Sequence, residues 1–259
     1  DVKIFKLEQN YRSTQNIVNA ASSIIQKNKE QIAKKVWTDN ETGERIKVFR
    51  ALTDNEEGKM VASSIFSEKM NRQLLHKDFA ILYRTNAQSR AMEEALRKIN
   101  IPYKIYGGQS FYQRKEVKDL LAYFRVVINP NDEEALRRII NYPTRGIGKT
   151  TLEKLMLAAN QLQASLWQVM EKSGQLGFKN MGHIDDFVTM IKSFQTLTNR
   201  NAYDVAMHIA KQSGVLKALY EDKTLEGIAR YENTEELLNG IKEFSIEEII
   251  DEDGVVKVR

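Results

Sequence analysis

The chain has 259 residues, 42% of them hydrophobic and 29% charged, with a formal net charge of +4, a balance typical of a globular protein and not of a disordered or fibrous one. It contains no cysteine, which excludes disulfides and thiolate metal sites, and its three histidines are too scattered to suggest a zinc centre. No apolar run reaches the roughly 18–20 residues of a membrane span, so we expect a cytoplasmic protein without a metal site of its own.

The first segment combines a strand pattern with a helix pattern. Residues 3–7 alternate charged and apolar side chains, which predicts a half-buried strand, and apolar residues then recur at helical spacing over 17–25. Tyr11 and Arg12 stand at the junction. A helix N-terminus favours anions, Arg offers a bidentate fork for phosphate and Tyr offers a flat ring for a purine. The junction is therefore a candidate nucleotide site; the alternative is an ordinary loop.

Strand and helix patterns continue to alternate up to residue 106. The predicted strands cover 46–51, 78–83 and 101–106, and the predicted helices lie around 60–66 and over 87–99. The run DFAILY at 78–83 is typical of a parallel strand that is covered on both faces. This alternation predicts a layered α/β domain with a mainly parallel sheet.

Helical periodicity takes over beyond Arg114. One predicted helix covers 117–128 and ends before Pro130, and Asp132 opens the next. Basic residues outnumber acidic ones in residues 1–113 and in residues 114–217, whereas acidic residues dominate 218–259. We therefore predict two domains: an α/β domain at 1–113 and an all-helical domain at 114–259, which ends in an acidic segment.

The segment from Gly146 to Thr151, GIGKTT, ends like a Walker A phosphate loop. The first glycine of that loop would fall on Pro143, which is stiff and has no N–H to offer a phosphate. We interpret the segment as a tight glycine turn between two helices. Its free N–H groups, with Arg145 and Lys149, would hold a nucleic-acid phosphate without reading a base. A plain interhelical corner is the alternative.

Three stretches resemble one family in spelling, order and spacing: LEQNYRST at 7–14, FAILYRTNAQSR at 79–90, and IPYKIYGGQSFYQRKEVKDLLAYFRVVINPNDEEALRRIINYPTRGIGKTTLEKL at 101–155. They are similar to superfamily 1 DNA helicases of the branch that contains UvrD, Rep and PcrA. The resemblance covers most of residues 4–155. It implies part of the second RecA-like motor domain (2A), followed by the inserted helical 2B subdomain.

The resemblance also implies residue roles. Tyr11 would stack on adenine with Gln9 beside it, and Arg12 would contact the γ-phosphate as the one catalytic candidate. The implied DNA contacts are Arg84, Thr85 and Asn86 for the single strand, Gly107 and Gly108 beside its track, and Arg145, Gly146, Ile147, Gly148, Lys149 and Thr150 for the duplex. Ser110 stands where relatives have a lysine, which weakens one phosphate contact. Arg114, Glu116 and Asp119 also match, although an intradomain ion-pair network explains them equally well.

The implied function is that of a fragment of an ATP-dependent DNA helicase, which translocates and unwinds 3′-to-5′ in repair or replication. ATP and Mg²⁺ would serve the full-length parent. Because Walker A and Walker B sequences are missing here, we expect no cofactor bound to the fragment and no activity from it alone. The expected partners are single-stranded DNA, a duplex junction and the remaining helicase domains of the same chain, without a membrane. Two alternatives stay open: a non-catalytic DNA-binding or docking module, and the motor portion of a helicase–nuclease.

Overall fold

The structure, a computed structural model, describes residues 3–29, 34–175, 182–197 and 200–246, with the backbone of two short strands beyond them. The chain divides into two compact units, Asp1–Leu52 and Thr53–Arg259. The described helices are α1 (Gln15–Ile25), α2 (Asp54–Arg72), α3 (Ser89–Lys98), α4 (Lys115–Ile128), α5 (Glu133–Ile139), α6 (Lys149–Leu162), α7 (Leu166–Glu171), α8 (Gly182–Gln195), α9 (Ala202–Gln212), α10 (Val215–Glu221) and α11 (Leu225–Ile246). Single 3₁₀ turns lie at His76–Asp78, Asn86–Gln88 and Phe111–Gln113.

The predicted parallel sheet is absent from the described residues, so the RecA-like α/β fold class is wrong for this structure. None of the four predicted strands pairs as a strand, at 3–7, 46–51, 78–83 or 101–106. An apolar sequence pattern indicates only which side chains are suited to a buried position. A sheet also requires a second backbone to accept and donate the ladder hydrogen bonds, and no such partner lies beside these segments within the described ranges.

The β structure that does form is small. Gln9 makes an isolated parallel bridge with Trp37 in the first unit. In the second unit β1 (Glu248–Ile250) pairs antiparallel with β2 (Val256–Val258). The sequence pattern predicted only helix or an acidic segment at these positions. Strands of three residues are too short to show a recognisable alternation of apolar and polar side chains.

The helix predictions beyond Arg114 are confirmed where local signals are strong. α4 ends at Ile128, before Pro130. α5 begins after Asp132, whose Oδ1 accepts a 3.1 Å hydrogen bond from the Ala135 N–H and so satisfies one free donor of the first turn. α6 begins at Lys149, directly after the glycine turn.

The second unit has its main core around α4. The buried side chains of this core come from α4 to α10 and include Tyr123, Leu136, Leu155, Phe187 and Ile191. Since each is at most 1% exposed, the helices on both sides of α4 are packed against one another. None of the helices in the described part of the chain is both long and apolar enough to cross a membrane.

The second unit has two smaller cores as well. One joins Phe111 and the first turns of α4 to α9 and α11. The other lies between α2 and α3, where Gly58 allows close approach: a Cβ on Gly58 would lie 2.6 Å from the carbonyl oxygen of Ala91. The loop at 84–88 leads directly into α3: Arg84, Thr85 and Asn86 are exposed, whereas Ser89 and Arg90 at the start of the helix are buried.

Candidate functional site

The Tyr11–Arg12 pair lies on a short turn whose backbone is held by Asn10. The Asn10 Oδ1 accepts hydrogen bonds from the N–H groups of Arg12 (3.0 Å) and Ser13 (2.8 Å). Gln9 restrains the aromatic ring, because its Oε1 accepts a 2.7 Å hydrogen bond from the Tyr11 hydroxyl while its Nε2 donates to Asp39 at 3.1 Å. The turn is therefore shaped by the two side chains that precede the pair.

Both members of the pair are exposed, Tyr11 to 80%. The Arg12 guanidinium has no hydrogen bond or ion pair to any residue that the structure describes. The helix N-terminus beside it is less available than the sequence suggested. The N–H groups of Gln15 and Asn16 donate to the carbonyls of Glu41 (3.0 Å) and Thr42 (3.1 Å). Two of the first-turn donors are therefore occupied, and the Arg12 guanidinium is the exposed positive group at this junction.

The Arg84–Thr85–Asn86 segment forms an exposed loop that closes on itself. The Gln88 Oε1 accepts from the N–H groups of both Arg84 (2.9 Å) and Thr85 (3.0 Å). Two backbone donors, those of Arg84 and Thr85, are therefore used inside the loop, whereas the three side chains are exposed. With Ala87, the loop lines an open pocket of about 240 Å³ against Ala229, Glu232 and Asn233 of α11.

The Gly107–Gly108 turn is anchored by Glu93 of α3, a buried carboxylate that the sequence did not single out. Its Oε1 accepts a 2.9 Å hydrogen bond from the Phe111 N–H, and its Oε2 accepts from the hydroxyls of Tyr103 (3.0 Å) and Ser110. Gly107 has a φ of +78°, which favours glycine. Ser110 thus holds the loop from within.

The turn from Arg145 to Thr150 offers free backbone donors. Asn141 folds its first half, because its Oδ1 accepts from the N–H groups of Arg145 (2.9 Å) and Ile147 (3.1 Å). The N–H groups of Gly148, Lys149 and Thr150 donate to no acceptor among the described residues. The Lys149 side chain is 90% exposed, and its Nζ lies 3.8 Å from the Glu153 Oε1. The free donors and this ammonium together give the N-terminus of α6 a positive character that suits an anion.

Arg145 and Ile147 point into the protein. The Arg145 guanidinium donates to the carbonyls of Ile139 (3.2 Å), Pro143 (3.0 Å) and Ser213 (2.7 Å), and to the Tyr123 hydroxyl (2.5 Å). Ile147 is 3% exposed and packs in the main core. Both therefore act as the base of the turn, whose exposed edge is formed by the two glycines, Lys149 and Thr150.

His183 of α8 lies beside this turn, a contact that no pattern in the sequence predicted. A Cβ on Gly146 would lie 3.4 Å from the Nε2 and Cδ2 atoms of the exposed imidazole. Gly146 has a φ of +76°, so glycine suits both the backbone and the nearby ring. A contact between residues 37 positions apart leaves no local pattern, whereas the glycine spacing did predict a tight turn here.

The alternative reading of Arg114, Glu116 and Asp119 as an ion-pair and hydrogen-bond network is supported by their contacts. Arg114 and Glu116 both contact Asn233 of α11, and the Asp119 Oδ1 accepts a 2.6 Å bond from Arg138 Nε. Burial raises the pKa of the Asp119 carboxyl, although Arg138 opposes the shift. Among the residues described, no group of three or more His, Asp and Glu side chains is arranged to hold a metal ion.

A family model described as the UvrD-like helicase C-terminal domain matches residues 5–253. The chain is also similar to proteins named ATP-dependent DNA helicase PcrA. Identity is 39% over 242 residues with the protein of Leuconostoc citreum, which covers 92% of this chain and 32% of the relative. Identity is 36% over 256 residues with the protein of Staphylococcus aureus, and the alignment covers 96% of this chain and 34% of the relative. Identity is 35% over 260 aligned positions with the protein of Staphylococcus epidermidis, and the alignment covers 99% of this chain and 35% of the relative. The chain spans about a third of the length of these relatives.

Proposed function

This chain belongs to the UvrD-like helicase C-terminal domain family, and from that premise we propose that it forms part of an ATP-dependent DNA helicase. The parent would translocate along single-stranded DNA in the 3′-to-5′ direction and unwind duplexes in repair or replication. The observation that carries the proposal is the match over residues 5–253, together with relatives that are named as ATP-dependent DNA helicases. ATP and Mg²⁺ are the cofactors proposed for the full-length protein.

The proposed nucleotide contacts are Tyr11, Arg12 and Gln9. The Tyr11 ring would stack on the adenine, while Gln9 keeps its hydroxyl in place. The Arg12 guanidinium would pair with the γ-phosphate, where a charge-assisted bidentate contact is strongest. The exposure of both side chains supports this role, because neither would need to be released from the protein before it met a nucleotide. Arg12 would then stabilise the charge that develops during phosphoryl transfer.

The proposed single-strand contacts are Arg84, Thr85 and Asn86. Their side chains are exposed on a loop whose own backbone donors are occupied by Gln88. Such a loop offers one cation, one hydroxyl and one amide, which suit phosphate and sugar and give no base readout. Gly107 and Gly108 would let the strand pass close to the backbone, since nothing lies within 4 Å of a Cβ built on either.

The proposed duplex contact is the turn from Arg145 to Thr150. Gly146, Gly148, Lys149 and Thr150 would meet the phosphates directly, whereas Arg145 and Ile147 hold the turn from inside. In the same proposal residues 114–259 act as the helical, duplex-contacting part of the protein, and residues 1–113 belong to its motor part.

Substitution of Arg12 in the full-length protein tests the nucleotide role. Arg12→Ala should slow DNA-stimulated ATP turnover about 100-fold, because a preorganised charge at the reacting phosphate is lost. Arg45→Ala is the matched control, since Arg45 is an exposed arginine of the same unit. Undiminished turnover in the Arg12 variant, measured by phosphate release, would contradict the assignment.

Lys149→Ala tests the duplex contact in the same protein. Loss of one phosphate contact should weaken binding to a duplex junction and lower the slope of log K against log salt by about 1. Lys154→Ala, an exposed lysine farther along α6, should leave that slope unchanged. Equal slopes for the two variants would remove Lys149 from the proposed surface.

A further inference from the structure

A buried chain of hydrogen bonds connects the Asn86 turn to α11. The Ser89 hydroxyl donates to the Asn86 carbonyl at 2.9 Å and accepts a 2.9 Å bond from Arg114 Nη2. Arg114 Nη1 donates to Asn233 Oδ1 at 2.6 Å, and Asn233 Nδ2 donates to Glu116 Oε1 at 2.7 Å. A single guanidinium thus holds the end of the loop and the middle of α11 at the same time.

The burial of this chain makes its geometry specific. Ser89, Arg114, Glu116 and Asn233 are each at most 8% exposed, and the guanidinium lies 5.3 Å from the centre of the Phe111 ring. Because a buried polar group that loses its partner is costly, the network has one good arrangement and few alternatives. Lysine could not replace Arg114, since an ammonium cannot reach two acceptors with the fixed fork of a guanidinium.

We propose that Arg114 is a positioning residue for DNA binding: through Ser89 it fixes the Asn86 turn against α11, so that the Asn86 side chain meets the single strand in one orientation. The inference rests on the proposed function, because it assigns no DNA contact to Arg114 or Ser89 themselves. It gives a physical link between the strand-contacting loop and the helix of the helical domain that faces it across the pocket at Glu232 and Asn233. A displacement of either element would be transmitted to the other through the shared guanidinium.

A double-mutant cycle on single-strand affinity in the full-length protein tests the link. Ser89→Ala and Arg114→Lys should each weaken binding to an oligothymidylate about tenfold, since a misplaced contact loses most of its value. In an Asn86→Ala background, Ser89→Ala should weaken binding less than twofold further, because the positioned group is already gone. A purely structural role for Ser89 would give the same loss in both backgrounds.

Ser193→Ala is the matched control. The Ser193 hydroxyl also donates to the carbonyl three residues earlier, Met190, at 2.7 Å, but it lies exposed on α8. The Ser193→Ala variant should bind the oligothymidylate as tightly as the unmodified protein. Melting temperatures measured in parallel identify any variant that has lost its fold. If Ser89→Ala is such a variant, Ser89→Cys serves as the milder replacement.

The outcomes separate the two proposals. If Asn86→Ala binds the strand as tightly as the unmodified protein, the proposed single-strand site is wrong and the positioning role with it. If Asn86→Ala weakens binding but Ser89→Ala has no effect, or has the same effect in both backgrounds, only the positioning role is overturned.

Discussion

Arg90 Nε of α3 donates a 2.6 Å hydrogen bond to Glu236 Oε1 of α11, and the guanidinium is only 2% exposed. Two further carboxylates complete the arrangement: Glu94 lies 3.0 Å from Nη1 and Glu243 lies 3.4 Å from Nη2. Burial disfavours the charged guanidinium, but the hydrogen bond to Glu236 and the neighbouring carboxylates outweigh it, and the pKa of Arg90 is raised. The helix that follows the loop proposed to contact DNA is thus fixed to α11 by charge.

Arg90→Ala should destabilise the protein by about 3–5 kcal/mol, because it leaves Glu236 and its neighbours as uncompensated, partly buried charges. Urea denaturation, followed by circular dichroism, measures the effect. Arg137→Ala is the control: Arg137 pairs with Glu133 at 2.9 Å on the exposed face of α5, and such a pair contributes less than about 1 kcal/mol. Similar losses in the two variants would show that the buried pair has no special weight.

Glu93→Ala should loosen the glycine turn at 107–108. The substitution removes the acceptor of the buried Phe111 N–H and of two hydroxyls, and one unsatisfied buried donor costs about 1–3 kcal/mol. Amide hydrogen exchange at Phe111 should therefore accelerate more than exchange in α4. Glu153→Ala, an exposed glutamate on α6, should leave both rates unchanged. Unaltered protection of Phe111 in the Glu93 variant would contradict the anchoring role.

The family and the helix boundaries could be predicted from the sequence because both depend on short local sequence motifs. The motif resemblance is confirmed by the match over residues 5–253. Pro130 and Asp132 fix the end of α4 and the start of α5 through backbone chemistry within a few residues. The glycine turn predicted at 146–148 is local in the same sense, and Gly146 in it has a positive φ.

The sheet and the direction of several side chains could not be predicted, because they depend on distant partners. The run at 78–83 has the composition of a buried strand, yet Leu82 is 89% exposed and no second strand pairs with it in the described structure. Arg145 precedes a turn that resembles a phosphate-binding loop, but its guanidinium donates to Tyr123 and Ser213, which are distant in sequence. Its direct contact with DNA stays a prediction.

The stability of the protein should depend on the ionisation of Asp119. Burial raises the pKa of this carboxyl above its usual range, with Arg138 and Lys115 opposing and Glu116 adding to the shift, and its Oδ2 has no hydrogen-bond partner among the described residues. A raised folded-state pKa means that the native state binds more protons than the unfolded state from about pH 4 upwards. This contribution is therefore fully present below the unfolded pKa and is lost as pH rises through the folded pKa.

Asp119→Asn should remove that dependence. The free energy of unfolding of the unmodified protein minus that of the variant should fall as pH rises from about 4, and then level off once the carboxyl is ionised in both states. Urea midpoints measured at half-unit pH steps give the curve. A difference that rises with pH over this window would reverse the sign and contradict the role given to burial.

Gly107 and Gly108 provide a matched pair for backbone strain. A Cβ on either glycine meets nothing within 4 Å, but only Gly107 has a positive φ, at +78°. Gly107→Ala should therefore cost about 1–2 kcal/mol through the left-handed backbone alone, whereas Gly108→Ala should be within about 0.5 kcal/mol of the unmodified protein. Thermal unfolding of the two variants measures the difference. Equal melting temperatures would mean that the turn relaxes without cost, and the close passage of a DNA strand proposed here would then need no glycine at position 107.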